Sequence, residues 1–405
     1  MRRILQIILI ISFVLITGCS DNAIEPVTME VVKQENSNEI YNYLNQYLDY
    51  FYFDNKELLM DYMGIPIEWD VISGDAHIEN GYVLCKEDTA DEYEKIRLQA
   101  SVDEQVFEFD EIVLLDEKFG YLITYFSGNG EQQEQLKLAF TYDGLLWFEL
   151  NDQKAVLKPT IGTQRLRDPS LVRNKDGGFF LLATQGYDNP SIYVYDTNDF
   201  VSYENERLLK VNASSEDNKM SEKQAWAPEG FYDRLIDKYV IYYSSVEDGG
   251  MFYNYSSDMY EISYPKKLLD TGFAVIDGTI FKNGYHYSIV LKDEREPMEE
   301  YSQLFVGYSD SDYLHFDRFD MNYITGHQSE GPFIMHRGGD NYILYYDDYT
   351  RFQFKALTFS SMEAHDFKDV PMEEIISSVT NVKHASAMAI TYKEYLRMEK
   401  KYAID

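Results

Sequence analysis

Short runs of apolar and aromatic residues, each bounded by polar turns, recur through the C-terminal two-thirds of the chain. The runs read GFFLLAT, KYVIYYSS, YHYSIVL and NYILYY, and turn residues such as Asp176-Gly177-Gly178 and Asn283-Gly284 separate them. Runs of this length that are rich in β-branched and aromatic residues are typical of buried strands. Because no long helical periodicity interrupts them, the region is predicted to be all-β.

A turn pattern repeats along the same region. In each copy a strand ends in a polar turn that carries an acid, and a bulky apolar residue follows four positions later. The pairs are Asp143/Trp147, Asp199/Tyr203, Asp258/Ile262, Asp312/Phe316 and Glu363/Phe367. Successive acids are 56, 59, 54 and 51 residues apart. Five units of several strands each predict a five-bladed β-propeller, and a β-sandwich with accidental spacing is the alternative.

The ring is expected to close through the C-terminal strand. The first copy, Gly120 to Leu150, has only part of a blade before it, and the run His384 to Ile390 is predicted to complete that blade. Residues 119–405 would then form the propeller.

Residues 37–118 have a different pattern and are predicted to form a small β-sandwich of immunoglobulin-like type. A short helix is expected between Asn38 and Met63. The predicted strands are Ile65 to Ile72, Tyr82 to Lys86, Arg97 to Val102 and Glu111 to Leu115.

The N-terminus has the features of a targeting segment. Arg2 and Arg3 precede the apolar run Ile4 to Ile16, which is too short to span a bilayer. The stretch LITGC ending at Cys19 resembles a bacterial lipobox, so residues 1–18 are predicted to be a lipoprotein signal peptide. Cys19 would be the lipid-modified first residue, and 19–36 a polar tether. The protein would be extracytoplasmic and held at the cell membrane or cell surface by lipid alone; an ordinary secretory signal or an uncleaved anchor is the alternative.

Charge and composition narrow the partners. Seventy acidic residues against 36 basic ones give a net charge of −34, which repels phosphate backbones, so no nucleic-acid partner is expected. A neutral carbohydrate meets no such repulsion. The 36 tyrosines fit strand faces and sugar-stacking surfaces alike. After Cys19 only Cys85 remains, which permits neither an internal disulfide nor a zinc site.

One polar residue stands beside a Pro, Gly or Ala 18 to 30 residues after each acidic turn. The five places are Asp168-Pro169, Pro228-Glu229, Asp277-Gly278, Glu330-Gly331 and His384-Ala385. Since the innermost strand of every blade lines the central channel, these residues are expected to share one funnel. A glycosidase needs an acid, a base and, close by, a third carboxylate that raises the pKa of the acid. Asp168, Asp277 and Glu330 could together supply these three groups, and the pattern alone does not say which residue has which role. Taken singly, Asp168 and Asp277 are equally explained as turn residues and His384 as a structural histidine, whereas a Glu before Gly-Pro, as at Glu330, has no turn role of its own.

Four segments resemble, in order, the blade-start motifs of glycoside hydrolase family 43: RDPSLVRNKDGGFFLLAT, AWAPEGFY, VIDGTIFKNGYHYSIVLKDE and SEGPFIMHRGGDNYILYYDDY. The resemblance covers roughly residues 119–397. It implies a mostly inverting glycosidase acting on arabinose- and xylose-containing polysaccharides. By motif, Asp168 would be the general base, Asp277 the orienting and pKa-tuning acid, and Glu330 the general acid.

The same resemblance implies that Trp226 and Glu229 line the sugar site and that His384 lies at the funnel floor. Relatives often hold a water or a calcium ion there, so the resemblance implies one or the other near His384; no metal ligand is predicted and no cofactor is required. Lys383 and Ala385 stand where the family more often has Arg and Gly, which alters the floor and any ion site.

The predicted function is that of an exo-acting α-L-arabinofuranosidase or β-xylosidase. A sugar-binding propeller lipoprotein without catalysis, and an enzyme for a galactoside or another pentoside, are the alternatives. A neighbouring clan that acts on fructans shares the Arg-Asp-Pro motif, but its Asn-Asp-Pro-Asn nucleophile and Glu-Cys acid are absent from this sequence.

Overall fold

The computed structural model describes residues 29–48, 51–53, 56–85, 93–114, 118–283, 286–309, 312–351 and 353–402. The predicted signal peptide, residues 1–18, and the predicted lipidation site Cys19 lie outside these residues. Among the helices described, none combines the length and the apolar character that crossing a membrane requires. Contacts group the chain into a unit that ends at Tyr43 and a compact unit from Leu44 to Asp405.

The N-terminal part contains a helix followed by short strands. Helix α1 spans Met29–Tyr47 and therefore begins inside the segment predicted as a tether. The strands are β1 (Phe51–Phe53), β2 (Lys56–Glu57), β3 (Asp61–Tyr62), β4 (Ile65–Ser73), β5 (Ala76–Glu79), β6 (Tyr82–Cys85), β7 (Tyr93–Val102) and β8 (Gln105–Leu114). They form one sheet of order β1-β8-β7-β4-β3 and another of order β2-β6-β5. The immunoglobulin-like type of this module stays a prediction.

Five further sheets form the blades of the propeller, as the repeat predicts. Blade 1 joins β9 (Lys118–Phe126), β10 (Lys137–Thr141) and β11 (Leu146–Glu149) to two C-terminal strands. Blade 2 is β12 (Leu166–Arg173), β13 (Phe179–Gln185), β14 (Ser191–Thr197) and β15 (Glu204–Lys210); blade 3 is β16 (Trp226–Asp233), β17 (Lys238–Ser245), β18 (Gly250–Ser256) and β19 (Lys266–Lys267). Blade 4 is β20 (Val275–Asn283), β21 (His286–Asp293), β22 (Leu304–Ser309) and β23 (Arg318–Asp320); blade 5 is β24 (Ser329–Gly338), β25 (Asn341–Asp348), β26 (Gln353–Phe359) and β27 (Lys368–Asp369).

The C-terminal strand closes the ring. Strands β28 (Ile376–Ser377) and β29 (Lys383–Thr391) complete blade 1, and β29 pairs antiparallel with β9, which confirms the predicted closure. Helix α2 (Tyr392–Tyr402) follows at once. Its start is a reciprocal cap, in which the Thr391 hydroxyl accepts the Glu394 N–H and the Glu394 carboxylate accepts the Thr391 N–H.

The apolar core lies between the blades. Five clusters of buried side chains each join two adjacent blades, as Leu182 and Ile241 do for blades 2 and 3 and Leu291 and Tyr242 for blades 3 and 4. The strands are hydrophobic on both faces because each blade is covered by a neighbour on both sides. This explains why the strand runs of the sequence are continuous and not alternating.

The repeated turn acids hold the hairpins that join the outer strands. Asp143, Asp199 and Asp258 each accept two backbone N–H groups two and three residues on, and Asp312 accepts one from Leu314. Blade 5 departs from this pattern, because there Asp366 accepts the N–H groups of Ser360 and Ser361.

The end of helix α1 and strand β8 are joined to the propeller through Arg234, whose side chain is 12% exposed. Arg234, in the turn between β16 and β17, pairs with the fully buried carboxylate of Glu111 and donates to the side chain of Asn45 at 2.7 Å. Its guanidinium lies 5.2 Å from the ring centre of Phe109. Lys282 adds a hydrogen bond to the carbonyl of Leu48. A folded propeller with this module removed would therefore expose unpaired charge.

We expect Arg234→Met to destabilise the protein by about 3–5 kcal/mol, because Glu111 would remain buried without a counter-charge. The free energy of unfolding from urea denaturation measures this. The double variant Arg234→Met/Glu111→Met should recover most of the loss, since it removes both charges. A single-variant loss below about 1 kcal/mol would show that the pair does not hold the module.

Candidate active site

One backbone feature recurs at the start of every inner strand. The pairing of β12, β16, β20, β24 and β29 with their neighbours shifts register there. The residue within the shift has a positive φ in all five strands: Asp168 (46°), Ala227 (46°), Asp277 (54°), Gly331 (57°) and His384 (26°). Such a bulge turns a side chain out of the strand's regular alternation. The ring therefore presents five such positions around one axis.

Side chains of the preceding blade satisfy the backbone of these bulges. The Thr184 hydroxyl accepts the N–H of Ala227, and the Ser244 hydroxyl accepts the N–H of Asp277. The N–H of Gly331 is instead accepted by the Asp277 carboxylate, at 3.1 Å. Three of the bulges are thus tied to the preceding blade, and Asp277 is held both through its own backbone N–H and through the N–H of Gly331.

A cavity of about 310 Å³ opens above the bulges. It is lined from all five blades and holds all three predicted catalytic carboxylates together with Trp226 and His384. Its lining residues are Asn129, Arg167, Asp168, Thr184, Gly186, Tyr187, Trp226, Ile276, Asp277, Lys292, Glu294, Met298, Glu330, Tyr349, Lys383 and His384.

Asp168 and Asp277 meet at His384. The Nδ1 atom of His384 lies 3.5 Å from Oδ1 of Asp168 and 3.6 Å from Oδ2 of Asp277. Burial raises the pKa of Asp277 to about 6; His384 opposes this rise and Glu330 adds to it. Burial works against a charged His384, but the carboxylates of Asp277 and Asp168 outweigh it and raise the pKa of the imidazole. The floor of the cavity is thus an acid–imidazole cluster.

Glu330 lies one residue before the bulge of its strand and contacts a buried cation. Lys292, 3% exposed, donates to Oε2 of Glu330 at 3.2 Å and lies 2.8 Å from Oε2 of Glu294. Its ammonium is 5.1 Å from the ring centre of Tyr349. Glu330 therefore has a cationic partner of its own, while its charge also acts on Asp277 and His384.

Aromatic side chains form one wall of the cavity. The indole N–H of Trp226 donates to the carbonyl of Tyr187 at 2.7 Å, which fixes the two rings edge to face. The guanidinium of Arg167 lies 4.7 Å from the ring centre of Phe126 and 4.5 Å from that of Tyr187. Its Nη1 pairs with the buried Glu134 at 2.9 Å. A ring face of this kind suits a sugar.

Glu229 lies outside this cavity, although the sequence predicts it in the sugar site. It stands two residues beyond the bulge of β16 and lines a second cavity of about 290 Å³ with Tyr242, Thr279 and Lys282. The hydroxyls of Tyr242 and Thr279 donate to its Oε2 at 2.5 and 3.1 Å. Burial raises its pKa to about 7. The residue is placed farther along the channel because Ala227, and not Glu229, occupies the bulge.

Sequence reasoning missed Lys292, Tyr187 and Tyr349, which lie on second strands or on loops that the blade-start pattern does not reach. Lys292 stands inside the quoted segment VIDGTIFKNGYHYSIVLKDE, so its buried position after an apolar run was an available signal. Within the described residues no group of three or more His, Cys, Asp or Glu side chains is arranged to hold a metal ion.

The sequence of the chain is similar to those of known glycoside hydrolases. Residues 116–396 match the family described as a probable glycosyl hydrolase domain, related to glycoside hydrolase family 43. An α-L-arabinofuranosidase of Bifidobacterium longum subsp. longum is 25% identical over 214 residues, which are 44% of this chain. The matched stretch is 20% of that relative's length.

Two solved structures are similar at low identity. The α-L-arabinofuranosidase of Lactobacillus brevis has a TM-score of 0.41 at 15% identity, covering 50% of this chain and 71% of its own. The endo-arabinase of Bacteroides thetaiotaomicron also has a TM-score of 0.41, at 16% identity, covering 51% and 80%. The assignment of the propeller therefore rests on the strand pairing described above.

Glu229→Gln should flatten part of the pH dependence of stability. Because the folded pKa of about 7 lies above the ordinary value of 4.5, the neutral carboxyl favours the folded state at low pH. This contribution is full below about pH 4.5 and is lost as the pH rises through 7. The unfolding free energy of the wild type, minus that of the variant, should fall by up to about 3 kcal/mol over this range. A difference that does not change with pH would contradict the burial of this carboxyl.

Proposed function

Because the chain belongs to the family of glycosyl hydrolase domains related to glycoside hydrolase family 43, we propose that it hydrolyses O-glycosyl bonds with inversion at the anomeric carbon. The observation that carries the proposal is the convergence of Asp168, Asp277 and Glu330 on one cavity, reached from three blades. Inverting hydrolysis needs an acid and a base on opposite sides of the sugar.

The roles are those that the resemblance to family 43 implies for each carboxyl group. The carboxylate of Asp168 removes a proton from water while the water oxygen attacks the anomeric carbon. Glu330, protonated, gives its proton to the departing glycosidic oxygen as the carbon–oxygen bond breaks. After the reaction Asp168 is protonated and Glu330 is ionised. Asp168 then loses its proton to solvent and Glu330 takes one up, so the proton count balances. Asp277 ties the strand of Glu330 through the Gly331 N–H and adds negative charge beside the acid.

The small volume of the cavity, about 310 Å³, suits a terminal sugar residue or a single-residue branch better than a long stretch of polymer. Its walls come from all five blades, and the Tyr187–Trp226 pair and Tyr349 stand in the lining. A terminal arabinofuranosyl or xylosyl residue is the substrate we propose. The name of the Bifidobacterium relative supports the arabinofuranosyl choice, and the aromatic wall supports a sugar in general.

A sugar-binding role without turnover is the second candidate. It is favoured by one observation, the ion pair between Lys292 and Glu330, because a carboxylate that accepts from an ammonium has no proton at that oxygen. The two candidates differ in whether bound oligosaccharide is cut.

Glu330→Gln and Asp168→Asn should each lower kcat by about 10²–10⁴-fold, since each removes one proton-transfer group. Release from aryl α-arabinofuranoside, β-xyloside and β-galactoside measures this, with arabinan and arabinoxylan tried next. The exposed Glu373→Gln is the matched control and should match the wild type. Calorimetric binding of oligosaccharides without any release of reducing sugar would favour the binding role. Wild-type rates in both site variants would overturn the hydrolase assignment.

We also propose that the protein is a lipoprotein anchored through Cys19, on the lipobox-like stretch before it. Cys19→Ser should abolish labelling by radioactive palmitate and move the protein from the membrane fraction to the soluble one. The buried Cys85→Ser serves as the control that keeps the label. Labelling that survives Cys19→Ser would contradict the anchor.

A further inference from the structure

Lys292 occupies a position whose role in other blades is structural. The residue of the second strand that faces the inner strand just before its bulge is Thr184 in blade 2, opposite Arg167, and Ser244 in blade 3, opposite Trp226. Both hydroxyls accept the N–H of the next blade's bulge residue. In blade 4 the same position, opposite Ile276, belongs to Lys292.

A lysine cannot perform that structural role. An ammonium has three donors and no acceptor, so Lys292 cannot accept a backbone N–H. Asp277 accepts the Gly331 N–H in its place. Lys292 therefore does not bind the backbone of the next bulge, as Thr184 and Ser244 do. Its side chain contacts Glu330 and Glu294 instead.

The side chain of Lys292 keeps its positive charge although it is buried. Burial disfavours its charge, but Glu330 and Glu294 outweigh burial and hold the pKa of Lys292 above its ordinary value. The charged groups that face Glu330 come from three blades. They are Lys292, Glu294 and Asp277 of blade 4, Asp347 of blade 5, and Lys383 and His384 of blade 1. Asp347 is fully buried. Its burial, and to a smaller extent the negative charge of Glu330, raise the pKa of Asp347 to about 7.

We propose that Lys292 is a positioning residue that fixes which oxygen of Glu330 carries the catalytic proton. The ammonium donates to Oε2, and a protonated carboxyl group is a stronger acceptor at its carbonyl oxygen than at its hydroxyl oxygen. In the protonated acid the proton therefore sits on Oε1, and the carboxyl group is held in one orientation. This inference rests on the proposed hydrolase function and assigns a role to a residue outside the three carboxylates.

The test compares leaving groups that differ in their need for protonation. With a nitrophenyl glycoside the departing oxygen needs little help, whereas an alkyl or sugar leaving group depends on the acid. Lys292→Met should lower kcat/KM by less than about 5-fold for the first kind and by about 100-fold for the second. Lys292→Arg keeps a donor-only cation and should recover part of the loss. The exposed Lys210→Met, on β15, is the matched control.

The pH profile supplies a second readout. Removing the ammonium removes a charge that favours ionised Glu330, so the protonated acid should persist to higher pH. The alkaline limb of kcat/KM for the poor leaving group should therefore move upward in Lys292→Met. Thermal unfolding shows whether each variant is folded, and Lys292→Gln, which also lacks the charge, replaces the methionine variant if that variant does not fold.

The outcomes separate the role of Lys292 from the hydrolase assignment. A steeper dependence on the leaving group together with the upward shift supports the role. Equal losses for all leaving groups, with an unmoved alkaline limb, overturn it and leave the hydrolase assignment in place. A wild-type protein that cleaves none of the substrates overturns the assignment, and the role of Lys292 falls with it.

Discussion

A backbone constraint, one left-handed residue at the start of each inner strand, is what the rest of the site depends on. Asp168, Ala227, Asp277, Gly331 and His384 all adopt positive φ at a register shift, so each blade turns one position toward the axis. Strand closure between β29 and β9 completes the ring. Without both, three carboxyl groups more than 50 residues apart in sequence would have no reason to share a cavity.

The charges of the cavity are balanced and not simply acidic. Asp168 and Asp277 share the imidazole of His384, and Glu330 and Glu294 share the ammonium of Lys292. Buried carboxylates without such partners would be costly, because desolvation penalises each charge. The two clusters give the acids different surroundings inside one pocket. That difference is what a reaction with separate acid and base roles requires.

The fold can be predicted from the repeat in the sequence. The site can be predicted only in part, because some of its residues depart from that repeat. The turn acids and apolar runs predict five blades and the closing strand, because every blade must bury both faces. The blade-start pattern finds Asp168, Asp277 and His384, yet it puts Glu330 and Glu229 in the same phase although they flank the bulge on opposite sides. Lys292 and Tyr349 could not be found this way, since second strands and loops follow no such pattern. The N-terminal module has no repeat. The sequence therefore predicts several of its strands but not the order in which they pair.

Inversion requires that Asp168 and Glu330 act as base and acid on opposite sides of a sugar. Proton NMR of the first product formed from a cleaved glycoside, recorded before mutarotation, shows whether the anomeric configuration is inverted. Release of the sugar with the opposite anomeric configuration to the substrate is the predicted result. Release with the same configuration would contradict the account, because it would require one of these carboxylates to attack carbon and form a glycosyl-enzyme intermediate.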